Sequence, residues 1–470
     1  MKKLILACLV FVLFFSTVPV SSSKASGGYK PFAAFVMKIN STSFSVDNLS
    51  RQFANKSAYP VGVNGNVFVP LRDVINEAGG DISWSGKDRS VTFSINGVKL
   101  SFVVGSKSYS FNGATVDFPA NGSAKPFIVK GSTLFPLEVL TSNFGESASA
   151  NSSDSLNFNI YKQLVQTSDA TGRKFYVPKR INKIVSLYPM STQLLFPLNA
   201  EDALVASPKG AVINFDNFAK VFPKAKELPS ASDFKNPNVE TILSFAPDLV
   251  ITTYSTPVNK LEDAGIPVAL LNQESFQGML NSIQFLGNIL NRTSEAFKAL
   301  VYINQEISSI QSKTKPMVNK PSVYFAGSSV LQTFGKDMIQ NSLVALAGGT
   351  SVSRDVVGGK VNVSYEQILA WNPDFIVLAP YCNSKVSDVL SNQSLQSVKA
   401  VKNKNVIMMP AFILSYDVPA PESVLGVMWM ANKFYPGSLN FNIDDEAKSF
   451  YKNIYSYKLT ESDLKIILGQ

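Results

Sequence analysis

Histidine is absent from the 470-residue sequence, and that absence removes more chemistry than any motif adds. Imidazole ligation of zinc, copper or haem iron is impossible, and so are Ser-His-Asp and Cys-His catalysis. Cysteine is almost absent too, with 2 residues, of which Cys8 falls in an apolar amino-terminal run. Cys382 would stand alone in a processed chain, which excludes an intramolecular disulfide even in an oxidising compartment. Beyond that first run, no stretch reaches the roughly 18 apolar residues of a membrane span. No metal-ligand spacing, Gly-rich phosphate loop or nucleophile and base pair is present, so the chain is not expected to be an enzyme.

What is present describes an exported globular protein. Residues 1–25 read as a secretory signal: Lys2 and Lys3, an apolar run from Leu4 to Phe15, then small residues ending Ser23, Lys24, Ala25. Cys8 after Ile5, Leu6 and Ala7 faintly resembles a lipoprotein acylation site. The leader before it is too short and the apolar run continues past it, so it is read as part of the discarded signal. The net charge of +9 is dispersed among lysines rather than gathered in a stripe, which argues against nucleic-acid binding. Dispersed positive charge fits attraction to anionic wall polymers or lipid headgroups, and equally a solvated surface. With 45% apolar and 16% charged residues the chain is globular rather than disordered.

The first globular region, 29–162, contains an internal repeat. Val67 to Gly79 answers Thr133 to Gly145, and Asp88 answers Asp154 at the same offset. Each copy runs a strand into a proline, then a short amphipathic helix closed by glycine. Alternating segments between them are joined by turns at Asn96-Gly97 and Asn112-Gly113. A hairpin-rich α+β domain is expected. Val69, Pro70, Leu71, Arg72, Gly79, Gly80 and Trp84 resemble the copper amine oxidase N-terminal-like domain, over nearly all of 55–160. The resemblance implies an accessory module without copper or catalysis, common on exported Gram-positive proteins. Attachment to an anionic cell-wall polymer and a passive spacer both stay open. Residues 163–176, polar from Thr167 to Lys174, are expected to be a linker.

The second region carries a clearer duplication. Asn238 to Tyr254 and Val363 to Tyr381 each run an acid, Glu240 or Glu366, through a short apolar helix face and a Pro-Asp turn into an apolar strand. Proline cannot continue a helix interior, and an apolar run suits a strand covered on both faces. Further strands are expected at Ile184–Leu187, Leu204–Ala206, Val268–Leu271, Val323–Ala326 and Val406–Met409, alternating with helices as in a mainly parallel sheet. Two α/β lobes follow, with ligand expected beyond the carboxyl ends of their strands. From Ser275 to Ser312 the pattern is helical, with Phe297, Leu300, Ile303, Ile307 and Ile310 on one face and Thr293 as an expected cap. From Glu422 to Gln470 the chain is again expected to be helical.

Ile184 to Ser191, Asn236 to Val250, Gly348-Gly349, Val363 to Val377, Pro419 to Pro436 and Phe441 to Leu468 together resemble class III substrate-binding proteins of ABC importers. That resemblance implies two doubly wound lobes, 177–275 and 318–470, bridged by a long helix at 276–315, with little hinge motion. It implies an extracytoplasmic solute-binding protein, partnered by permease and ATPase subunits. Its cargo is expected to be a small-molecule metal complex of the iron-chelate type, with haem, corrinoid and molybdate or tungstate as alternatives. A wall-associated adhesion or sensing protein is the alternative from another class. The family docks one glutamate from each lobe tip into permease arginine pockets, and these fall on Glu240 and Glu366. No resident cofactor is implied, and the protein is expected to be a monomer at the cell surface or cell wall, of Gram-positive type.

Candidate ligand residues come from the strand ends facing the cleft: Tyr188, Pro189 and Ser191; Tyr254 and Ser255; Gly327, Ser328 and Ser329; Arg354; Tyr381 and Cys382; Tyr416 and Asp417. Tyrosinate is a hard oxygen donor suited to ferric iron, tyrosine rings stack on macrocycles, and arginine binds oxyanions bidentately. Arg354 fits a ligand contact or a salt bridge to Asp355 equally well. For Cys382 a small buried hydrophobe is the simpler role.

Overall fold

The computed structural model describes residues 31–152, 155–208, 215–439 and 441–469, so the expected signal at 1–25 lies outside the described residues. The chain divides into two compact units between Gln163 and Leu164.

The first unit is built on antiparallel pairing. One of its two five-stranded sheets among the described residues runs in space Ala114–Asp117, Ser108–Phe111, Val98–Val103, Ser90–Ile95, Asp81–Ser85. Asn96 and Gly97 (φ 51° and 79°) and Asn112 and Gly113 (φ 48° and 92°) make the tight hairpins, since both turn positions need left-handed backbone. The repeat also explains the centre of the unit. Strands Asn66–Pro70 and Ser132–Pro136 pair antiparallel, with Phe135 opposite Val69, and each passes directly into a helix, Leu71–Glu77 or Leu137–Phe144. Phe93, Phe102, Phe118 and Phe135 pack edge-on or tilted in the core.

The expected linker is a hairpin of the second unit. Leu164–Ser168 pairs with Lys174–Pro178, and its turn lies on the first lobe's edge strand: Ala170 N donates to Leu270 O, and Leu270 N to Asp169 Oδ2. Asp169 also accepts from the hydroxyl of Thr171 and from Arg173. A polar stretch with this many local acceptors orders itself and covers an otherwise open sheet edge.

Each lobe holds a parallel sheet. In the first the order is Leu204–Ala206, Ile184–Ser186, Leu249–Thr253, Val268–Leu271, all parallel. In the second, Ser322–Ala326, Phe375–Leu378 and Val406–Met408 are parallel, and Gln332–Phe334 and Lys360–Asn362 extend the sheet antiparallel. The two repeat copies occupy matching places. Asn238 and Ser364 cap their helices through Thr241 N and Gln367 N. Ala246 (φ 46°) and Asn372 (φ 43°) end those helices in the left-handed region, just before the prolines. Asp248 Oδ2 accepts from Lys183 N at 3.0 Å, and Asp374 Oδ2 from Ser322 N at 2.9 Å. Each Pro-Asp turn is thus tied to the start of its own lobe's first parallel strand.

The helix expected over 276–315 is two helices, Phe276–Ile289 and Thr293–Thr314, broken at Asn291 (φ 56°). The chain doubles back where Gly287 meets Ala296; a Cβ on residue 287 would lie 2.4 Å from the Ala296 Cβ. Thr293 is inside the second helix rather than its cap, and Phe297, expected on the apolar face, is 66% exposed. The second helix, Thr293–Thr314, leads from the first lobe to the second. It buries Ala296, Ala299, Ile303, Ile307 and Ile310 in one hydrophobic core shared with Ile184, Leu249, Val323, Val377 and the nearly enclosed helix Ser423–Phe434. The helix Ile443–Tyr455 joins that core, with Tyr455 packed 5.1 Å from Phe196. A core continuous across both lobes resists hinge motion.

Candidate functional site

The parallel strands of both lobes deliver their carboxyl ends to one cleft, and each lobe presents a phenol paired with a carboxylate. In the first lobe Tyr188, two residues past Ile184–Ser186, donates to Glu274 Oε1 at 3.3 Å; its ring stands edge-on to Phe234. In the second lobe Tyr381, past Phe375–Leu378, donates to Asp417 Oδ2 at 2.8 Å. Asp417 is fully buried and also accepts from Gln340 Nε2 at 3.1 Å and from the Ser415 hydroxyl.

Electrostatics tie the two pairs together. Burial, then the neighbouring carboxylate, pushes each phenol well above the usual tyrosine range, and Tyr188 adds a smaller upward push on Tyr381 from the other lobe. Burial likewise pushes Glu274 and Asp417 up. Lys360 stabilises the ionised form of Glu274 and places its Nζ 5.8 Å from the centre of the Tyr381 ring.

The floor of the site is polar and closed. Pro189 opens the helix Pro189–Gln193 at its first position, where a proline costs no hydrogen bond. Ser191, fully buried, exchanges hydrogen bonds with Gln273 at 3.1 and 3.2 Å. Tyr254 and Ser255 are exposed at the end of Leu249–Thr253, with Tyr254 close enough to Tyr188 to perturb it. Gly327 is buried, and Ser328 hydrogen-bonds Gln332 Oε1 at 2.8 Å.

Three expected cleft residues sit elsewhere or act otherwise. Tyr416 is fully buried and faces Tyr451 and Glu422, because the chain turns it inward one residue before Asp417. Arg354 is exposed, 3.4 Å from Asp355 and bonded to Ser351 O at 3.3 Å. Cys382 packs against the second lobe's apolar cluster. Glu274, Gln273, Gln340 and Lys360 were not foreseen. Glu274 and Gln273 follow the strand Val268–Leu271, so reading that strand's end as the others were read would have found them. No local pattern marks Lys360 or Gln340.

Glu240 and Glu366 are both exposed, each the second residue of its capped helix. The Ser364 hydroxyl holds the Glu366 carboxyl below its ordinary range.

Residues 184–412 match the periplasmic binding protein family, and residues 49–156 match the copper amine oxidase N-terminal domain. The second unit is a periplasmic binding protein domain. The chain is 22% identical over 338 residues to the molybdate-binding protein MolA of Haemophilus influenzae, covering 65% of this chain and 95% of that protein. It is 27% identical over 283 residues to the ABC transporter substrate-binding lipoprotein YvrC of Bacillus subtilis, covering 58% and 86%. The crystal structure of a periplasmic solute binding protein from Veillonella parvula superposes with a TM-score of 0.57 at 25% identity, covering 65% of this chain and 97% of that one. The periplasmic binding protein domain therefore has the two-lobed α/β fold of its relatives, and its class is a binding protein rather than an enzyme. Among the described residues no helix is long and apolar enough to cross a membrane.

Proposed function

We propose that this periplasmic binding protein is the extracytoplasmic solute receptor of an ABC importer and that its cargo is a ferric chelate held between the lobes. The observation that carries the cargo is the pair of phenol–carboxylate contacts, Tyr188–Glu274 and Tyr381–Asp417, one from each lobe. A phenol oxygen that approaches ferric iron must lose its proton to become a hard anionic donor. Here each phenol already points that proton at a carboxyl group, and burial has raised both carboxyls toward accepting it. The proton therefore has a place to go inside the cleft.

The same arrangement argues against an oxyanion cargo. Both phenolic protons are committed to carboxylates, so neither is free to donate to an anion, and the carboxylates would repel it. Lys360 is the one cation that the described contacts place at these pairs. A second reading, a flat haem or corrinoid, is favoured by Tyr254, whose ring is 48% exposed beside Tyr188 and free to stack.

Glu240 and Glu366 supply the permease contacts in this reading. Each sits at the amino end of a helix that precedes a parallel strand, and so on the cleft side of its lobe. The deciding experiment is the absorption spectrum and metal content of the full protein purified from its native host. Bound iron with a ferric charge-transfer band supports the proposal; a Soret band, a corrin band or bound molybdenum would replace it.

A further inference from the structure

Behind the cleft lies a buried polar cluster that ligand binding does not use. Glu422, fully buried, stands just before the helix Ser423–Phe434. The titratable groups facing it are Tyr416, from the loop beside Asp417, and Tyr451 and Tyr455, from the helix Ile443–Tyr455. Gln193, from the first lobe, completes the group. Neither carboxyl oxygen of Glu422 closes a hydrogen bond of normal geometry, nor do the hydroxyls of Tyr416 and Tyr451. The Tyr455 hydroxyl, which lies against Glu422, donates instead to Gln193 Oε1 at 3.2 Å.

That direction matters, because a phenol has one proton to donate. With it given to Gln193, Tyr455 can meet Glu422 only as an acceptor, and only a protonated carboxyl has something to donate. We propose that Glu422 is a protonated positioning residue that holds the lobe junction through the relay Glu422 to Tyr455 to Gln193. When Glu422 ionises it becomes an acceptor, the Tyr455 hydroxyl turns to it, and Gln193 loses its partner. Burial pushes the Glu422 carboxyl up to about 7, against a Tyr455 hydroxyl that favours the ionised form once it turns to it, and this puts the change within reach of ordinary solution conditions.

The relay ends beneath both cleft pairs. Gln193 closes the helix that begins one residue after Tyr188 and contains Ser191, and Tyr416 adjoins Asp417. The consequence for cargo rests on the cleft being the ligand site; the junction chemistry does not.

The test is hydrogen exchange in the full chain without ligand, following amides of 188–195 and 415–425 across pH after correction for intrinsic exchange. In the unsubstituted protein, protection should fall by up to about tenfold per unit as pH rises toward about 7 and level off above it. Glu422→Gln, which keeps a donor and cannot ionise, should show no step. A flat profile in the unsubstituted protein, or an unchanged step in Glu422→Gln, would overturn the proposal. If Glu422→Gln does not fold, infrared difference spectra of the unsubstituted protein decide. A carboxylic-acid carbonyl band present about one unit below 7 and lost about one unit above supports the relay, and no such change refutes it. Because no ligand is used, this inference can fail while the cleft reading stands, and the reverse also holds.

Discussion

Tyr381 donates its phenolic proton to Asp417 at 2.8 Å, and Asp417 has no exposure to solvent. Tyr188 and Glu274 repeat the relation in the other lobe, on a partly exposed acid.

Asp417→Asn keeps the shape of the site and an acceptor for the hydrogen bond, but removes the carboxylate that can take up the Tyr381 proton. Affinity for a ferric chelate should fall by about 10- to 100-fold, as for other groups that orient and tune a metal-binding side chain. Fluorescence titration of the purified protein measures it. Unchanged affinity would take the pair out of the binding site.

Reversing both lobe-tip charges, Glu240→Lys with Glu366→Lys, should abolish uptake in cells while leaving ligand affinity intact. Both residues are exposed and neither contributes to the core, so folding is expected to be unaffected. Loss of ligand binding in the purified double variant would refute the docking role.

Gly287→Leu should destabilise the second unit by about 1–3 kcal/mol, since its side chain would have to part the two helices at their closest approach. Calorimetry of the full chain should show the loss in the transition of that unit. An unchanged melting temperature would mean that the helical hairpin yields freely there.

Asp374→Ala should cost about 1 kcal/mol by removing the acceptor of the Ser322 amide and hydroxyl. Burial pushes Asp374 up, but the Ser322 hydroxyl and amide, with Lys399, outweigh it and hold the carboxyl below its ordinary 3.8. Its stabilisation is therefore complete above 3.8 and lost as pH falls through the lower folded value. The stability difference between the unsubstituted protein and Asp374→Ala should therefore be full above 3.8 and shrink in more acid solution, giving the variant a shallower acid limb; a difference that does not change with pH would refute the assignment.

Much of the fold was legible because its causes are local. The caps Asn238 and Ser364, the acids beside them and the two Pro-Asp turns act within a few residues, so repetition of residues meant repetition of structure. The hairpin at 164–178 was missed because its partner, the strand Val268–Leu271, is about a hundred residues away in sequence. The cap expected at Thr293 marks where a helix begins but not that the chain reverses before it; the contact of Gly287 with Ala296 exists only once the chain has turned.

The site divides in the same way. From the sequence alone come the absence of imidazole chemistry, the duplicated lobe, the exposed acids Glu240 and Glu366, and the tyrosines waiting at strand ends. Tertiary structure alone decided that Tyr381 opens to the cleft while Tyr416 is sealed in the core, that Glu274 and Asp417 take the phenolic protons, and that Tyr455 reaches Gln193 across 262 residues. Burial and pairing through space set which protons are held where, and both depend on how distant segments cross rather than on what stands beside them in the chain.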